Sequence, residues 1–166
     1  MRRNAVISED GLYRYSLERD WSARKQRCIF VMLNPSTADA EKDDPTIRRC
    51  IGFAKQWGCG GLTVLNLFAY RATDPKVLSE VNDPIGPEND LWIEAAFQGL
   101  SDPIVIYAWG VNAKVWALRC HRIYQIARRN GIKPYILGLL SKEGFPRHPL
   151  YLPKNASLVH WRPSSA

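Results

Sequence analysis

Four short polar segments follow or interrupt apolar runs, and their residue types suit ligand binding. Asn34-Pro35-Ser36 follows Val31-Met32-Leu33, and Asn66 lies inside Leu65-Asn66-Leu67-Phe68. Asn112 comes just after Trp109-Gly110-Val111. Lys142, Arg147 and His148 share the stretch 141–150. The Asn34 carbonyl can orient a water but cannot take its proton at neutral pH. A neutral His148 can donate to a developing anion. The Asn66 amide can accept and donate at once. Ser36, Lys142 and Arg147 suit phosphate oxygens. Asp39, Asp43 and Asp44 follow the first segment, and Asp39 or Asp44 could supply a carboxylate base.

Each residue also has a plainer reading. Asn34 before proline suits a turn. Asn66, flanked by leucines, needs a backbone or ligand partner for its amide. Asn112 follows a strand-like run and opens a helix-like one, which favours an N-cap. The aspartates read first as helix caps. His148 between Arg147 and Pro149 would otherwise be a surface histidine.

Other chemistries lack local support. There is no G-x-G-x-x-G, no Walker motif and no G-x-S-x-G elbow. Cys28, Cys50, Cys59 and Cys120 form no C-x-x-C pair and have no histidine at zinc spacing, so they read as buried free thiols. No metal and no cofactor is expected. No apolar run approaches the roughly 20 residues of a membrane span, and no long apolar segment follows the basic start, so a cytoplasmic protein is expected. At 46% hydrophobic and 23% charged, the 166 residues are expected to form a single domain with its own core. The net charge of +7 is unevenly spread. Residues 1–102 carry 13 basic and 15 acidic side chains, whereas residues 103–166 carry 10 basic and only Glu143. Such asymmetry suits a polyanionic partner.

These residues need elements to hold them. Tyr13, Tyr15 and Leu17 alternate with Arg14, Ser16 and Glu18, which predicts a half-exposed edge strand within an N-terminal arm, residues 1–25. An α/β core is predicted over 26–162. Cys28–Leu33 is unbroken and apolar, as a strand buried on both faces reads. Further strands are predicted at 62–68, 103–109 and 133–140, with a short last one near Leu158–Trp161. Helices are predicted after Pro45, over Glu88–Leu100 and over about Asn112–Arg129. The alternation implies a three-layer α/β/α sandwich around a mainly parallel sheet of four core strands. Ligands of such sheets bind outside the carboxyl ends of the strands, where all four polar segments fall.

The order of these motifs resembles the uracil-DNA glycosylase superfamily. Val31–Ser36 is similar to the motif in which a strand ends in G-[IQ]-[ND]-P. Gly61–Ala72 resembles the strand whose Asn reads the base, Ala108–Lys114 the one ending in W-G-x-x-A, and Arg147–Leu150 the H-P-[SL]-like motif. The chain departs from the pattern at the first glycine, replaced by Leu33 or Met32, and at the serine, replaced by Leu150. The whole chain also resembles a bacterial and phage family, domain of unknown function 1643, through Leu33–Asp39 and Asp44-Pro45-Thr46. The superfamily resemblance implies a DNA glycosylase-like hydrolase that excises a damaged or modified base. Asn34 and His148 would be catalytic and Asn66 would read the base. Phe68, Tyr70 or Phe145 would stack on it, and Ser36, Lys142 and Arg147 would hold phosphates. DNA, single-stranded or with modified bases, is the implied partner, with no obligate protein partner. The alternative is a module of the same fold that binds nucleic acid or nucleotides without chemistry.

Overall fold

The computed structural model describes residues 1–162. The last four residues of the expected 1–166 domain lie outside the described residues. Seven strands form one mixed sheet: β1 (Arg2–Ile7), β2 (Arg14–Asp20), β3 (Arg27–Met32), β4 (Gly61–Asn66), β5 (Ile104–Tyr107), β6 (Tyr135–Leu137) and β7 (Leu158–His160). The spatial order is β1-β2-β4-β3-β5-β6-β7. β4, β3, β5 and β6 run parallel, and antiparallel strands flank them at both sides. The protein is thus α/β with a parallel core of four strands.

Alternation within β3 explains the layers. Cys28, Phe30 and Met32 enter one buried cluster with Ile47, Cys50, Phe53 and Ala54 of α1 (Pro45–Gln56). Ile29 and Val31 enter a second cluster with Ile93 and Phe97 of α2 (Asn89–Phe97) and Ile123, Ile126 and Ala127 of α3 (Ala117–Arg129). Burying each large apolar side chain contributes about 1.5–3 kcal/mol, which is why an all-apolar strand sits in the middle. Asp44 caps α1 through Ile47 N at 2.9 Å, and Pro45 opens it.

Two expectations need correction. β2 is not an edge strand, because it pairs with β1 on one side and β4 on the other. Nor does most of its polar set face water: Arg14 is 2% exposed and Ser16 6%, and only Glu18 is half-buried, while Arg19 of the same strand is buried as well. The pleat is interrupted. Val6 pairs with Ser16 and Ile7 with Arg14, so Tyr15 is an extra residue, a β-bulge. Leu17 packs on the α1 side and Ser16 on the α2 side; beyond the bulge Arg14 returns to the α1 side. The second correction concerns Asn112. It lies in a 3-10 turn, Val111–Trp116, that precedes α3 and has no side-chain cap, so its amide is not spent on a helix end.

Arg19 anchors β2 to the loop before α1. Its guanidinium donates to Asp43 Oδ1 at 2.8 Å, Asp39 O at 2.5 Å and Glu18 O at 2.8 Å. Asp43 also pairs with Arg3 at 3.1 Å. α2 and α3 are tied by Asp90 to Arg119 and Arg122, and by Glu94 to Arg129. Three of the ten basic residues in the C-terminal part therefore already have carboxylate partners. The described cysteines are free, and no group of three or more potential metal ligands occurs among the described residues. No helix among the described residues is long and apolar enough to cross a membrane.

Truncating Arg19 would leave buried carbonyls and a partly buried Asp43 short of a partner. Arg19→Ala is expected to lower unfolding free energy by about 3 kcal/mol. Urea denaturation reads this directly; an unchanged midpoint would mean that the clamp contributes little.

Candidate functional site

The chain leaves β3 toward β4 on one side and later returns to β5 on the other, so β3 and β5 are neighbours whose following segments diverge. α1, after β3, covers one face of the sheet, and α3, after β5, the other. Such a switch point opens a crevice at the strands' carboxyl ends. A cleft of about 730 Å³ lies there. That size suits a small ligand. Asn34, Ser36, Asp44, Asn66, Lys142, Arg147 and His148 all line it, together with Trp109 and Asn112.

Local geometry decides what each side chain can offer. Asn34 spends its amide NH₂ on Pro35 O at 3.1 Å and Ala72 O at 2.8 Å. Its Oδ1, by elimination, is left to accept. Asn66 is the reverse case. It is 2% exposed, and its Oδ1 receives Arg14 Nη2 at 3.5 Å. Among the described residues its NH₂ has no hydrogen-bond acceptor. The backbone beneath is fixed separately, since Asn89 Nδ2 donates to Asn66 O at 3.0 Å and Leu67 O at 3.2 Å. Arg119 Nε adds a second bond to Leu67 O at 2.6 Å.

His148 Nδ1 accepts from Leu150 N at 3.2 Å, which places the ring proton on Nε2. Burial pushes its pKa below the ordinary 6.5, with the Asp44 carboxylate pulling the other way. The imidazole is thus neutral at pH 7 and a donor at Nε2. Its loop is held from two sides. Gly110 N donates to Pro146 O at 3.0 Å, and Arg49 of α1 donates to Leu152 O. Gly110 has φ +81°, and a Cβ there would stand 3.2 Å from His148 Cβ. Only glycine lets β5 and the histidine loop come this close.

Asp44 caps α1 with Oδ1 yet lines the cleft, where it is the sole carboxylate among the lining residues. Asp39 is not there. Its Oδ1 accepts from Glu41 N and Lys42 N, both at 2.8 Å, and these bonds lower its pKa. It shapes its own loop.

The three aromatic residues expected to stack do not line the cleft. Phe68 is 1% exposed and packs edge-on against Trp116. Tyr70 packs edge-on against Tyr13, and Phe145 packs against the cluster beneath α3. Trp109 and Tyr151 are the aromatic residues of the cleft wall. Tyr151 is 79% exposed, and its ring lies 5.6 Å from that of His148. It follows His148 by three residues, so the spacing within one loop could have suggested it. Arg14 was also unforeseen, and the alternation of β2 pointed away from it.

No curated protein matches the chain, and no solved structure does. A family model does match, over residues 14–150, from the arginine on the floor of the cleft to the loop that carries the histidine. On that match the chain belongs to the family described as Protein of unknown function (DUF1643).

Proposed function

We propose that this protein is a hydrolase of the DNA glycosylase type, with a fold related to the uracil-DNA glycosylase superfamily, which cleaves the N-glycosidic bond of a damaged or modified base in DNA. The observation that carries the reading is the neutral His148, presenting Nε2–H to the same cleft as a free Asn34 carbonyl and a free Asn66 NH₂. Hydrolysis of a C–N glycosidic bond needs a held water, a proton acceptor and a donor for the leaving base. Asn34 Oδ1 holds the water. Asp44 takes its proton, as the only carboxylate among the lining residues. Oxygen bonds to C1′ as the C1′–N bond breaks and its electron pair moves onto the base. His148 Nε2–H donates to the base oxygen where that charge collects. Asn66 reads the base edge, and Tyr151 replaces the expected aromatics as the stacking ring. Ser36, Lys142 and Arg147 take backbone phosphates.

The test is incubation with oligonucleotides that hold different modified bases, followed by mass spectrometry of what is released. Free base and an abasic strand are expected for at least one base. His148→Ala should slow that release by roughly 10²–10³-fold while leaving DNA affinity nearly unchanged. A broad panel of unmodified, deaminated and modified bases that yields no free base sinks the reading. Retained DNA affinity in that case favours a module that binds without chemistry.

The pH profile follows from the histidine. The reactive form is neutral, so release persists as pH rises and is lost as pH falls through the His148 pKa. Because burial depresses that pKa, the acidic limb should have its midpoint below 6.5. A midpoint above 6.5 would contradict an imidazole kept neutral by burial, and release that persists well into acid would mean that a protonated imidazole is tolerated.

A further inference from the structure

Three arginines are buried: Arg14, Arg19 and Arg119. Two have a carboxylate, Asp43 for Arg19 at 2.8 Å and Asp90 for Arg119 at 2.7 Å. Arg14 makes no ion pair among the described residues. Its Nη1 donates to Ala38 O at 2.9 Å, its Nη2 reaches Asn66 Oδ1 only at 3.5 Å, and its Nε has no partner. Burial lowers its pKa to about 10, with the Asp44 carboxylate pulling the other way from beyond ion-pair contact, so it remains a cation at neutral pH. A buried charge with no carboxylate in contact is destabilising, and a ligand oxygen pair would complete it.

Its neighbour on the cleft wall points the same way. Asn66 turns its carbonyl to Arg14, which leaves its NH₂ for a ligand. Guanidinium and amide NH₂ are both donors, so this pair of side chains offers hydrogens and no unused acceptor. An amino-bearing base edge would set donors against donors. An oxygen pair with negative charge would satisfy them, as planar guanidinium and carboxylate do.

We infer that the floor of the cleft, formed by Arg14 and Asn66, binds an anionic oxygen group, so that the ligand's innermost part is an oxo-rich ring bearing a carboxylate or a phosphate oxygen pair. This deepens the base-excision reading by naming the class of base, and binding alone tests it. The same chemistry has a second source, the phosphate of a nucleotide entering end-first.

The probes are orotate (a uracil ring that carries a carboxylate), uracil and inorganic phosphate, titrated into the full chain by calorimetry. Orotate should bind at least tenfold more tightly than uracil. Arg14→Met should weaken orotate relative to uracil by roughly tenfold to a hundredfold, while Arg14→Lys should keep part of the preference. Phosphate that competes with orotate and binds as tightly assigns the floor to a phosphate and keeps the inference. Equal affinity for orotate and uracil in the unmutated protein, with no phosphate binding, overturns it, and that comparison needs no variant to fold. Anion preference untouched by Arg14→Met in a folded protein overturns it as well. A protein that binds the anion but releases no base from any oligonucleotide keeps this inference and loses the excision reading. One that excises only uncharged, amino-edged bases does the reverse.

Discussion

Two guanidinium groups on one strand hold the loop that carries much of the cleft wall. Arg19 and Arg14 project from β2 onto the carbonyls of Asp39, Lys42 and Ala38, beneath the loop that joins β3 to α1. That loop begins at Asn34 and ends at Asp44. Its carbonyls would otherwise be buried without donors, a cost of several kcal/mol in sum. With the donors in place the loop needs no regular structure to be rigid. Asn34 and Asp44, at its two ends, are thereby fixed relative to the sheet.

The opposite wall is held by backbone contacts. The imidazole of His148 is oriented by the amide of Leu150, and its segment rests against Gly110 and Arg49. Asn66 sits between the walls, where β4 ends and its carbonyls lose their strand partners. Asn89 from α2 and Arg119 from α3 supply the missing donors. Both helices are in turn fastened to each other by ion pairs. Groups from both faces of the sheet therefore meet around one residue, Arg14 at the Asn66 side chain and Asn89 at its backbone carbonyl. Support of this kind holds the Asn66 side chain in place before a ligand arrives.

Much of the scaffold is legible in the chain because local pattern and tertiary role agree. An unbroken apolar run such as Cys28–Leu33 can only be a doubly covered strand here, and Asp44-Pro45 marks a helix start by chemistry that acts within one turn. Residues at the ends of such strands then fall near one another by topology, which is why Asn34, Asn66 and His148 could be grouped without coordinates. What escaped the pattern depends on non-local geometry. Tyr15 interrupts a pleat that the alternation of β2 suggests is regular, and the side of every residue before it changes. Asn112 stands where a cap is common, but the backbone there takes a tighter 3-10 path. Phe68 and Phe145 are near the right strands and point into the core, since burial of a large ring outweighs exposure in a polar cleft. The basic bias of the last third is a sum over side chains. It carries no record that Arg119, Arg122 and Arg129 meet acids contributed by α2.

The extra residue in β2 has an evolutionary reading. Side-chain facing in a strand has a period of two, so one residue gained or lost exchanges the faces of everything on one side of the change unless a bulge absorbs it. Deleting the codon for Tyr15 would join Ser16 to Arg14 in a regular pleat and leave Arg14 opposite Ile7 on the α1 side, with Leu17, Arg19 and all of β4 in place. The cleft would keep its cation, and none of its other walls would be rewritten. A strand that takes up an extra residue in this way lets a lineage gain or lose one without changing the polarity of its binding site.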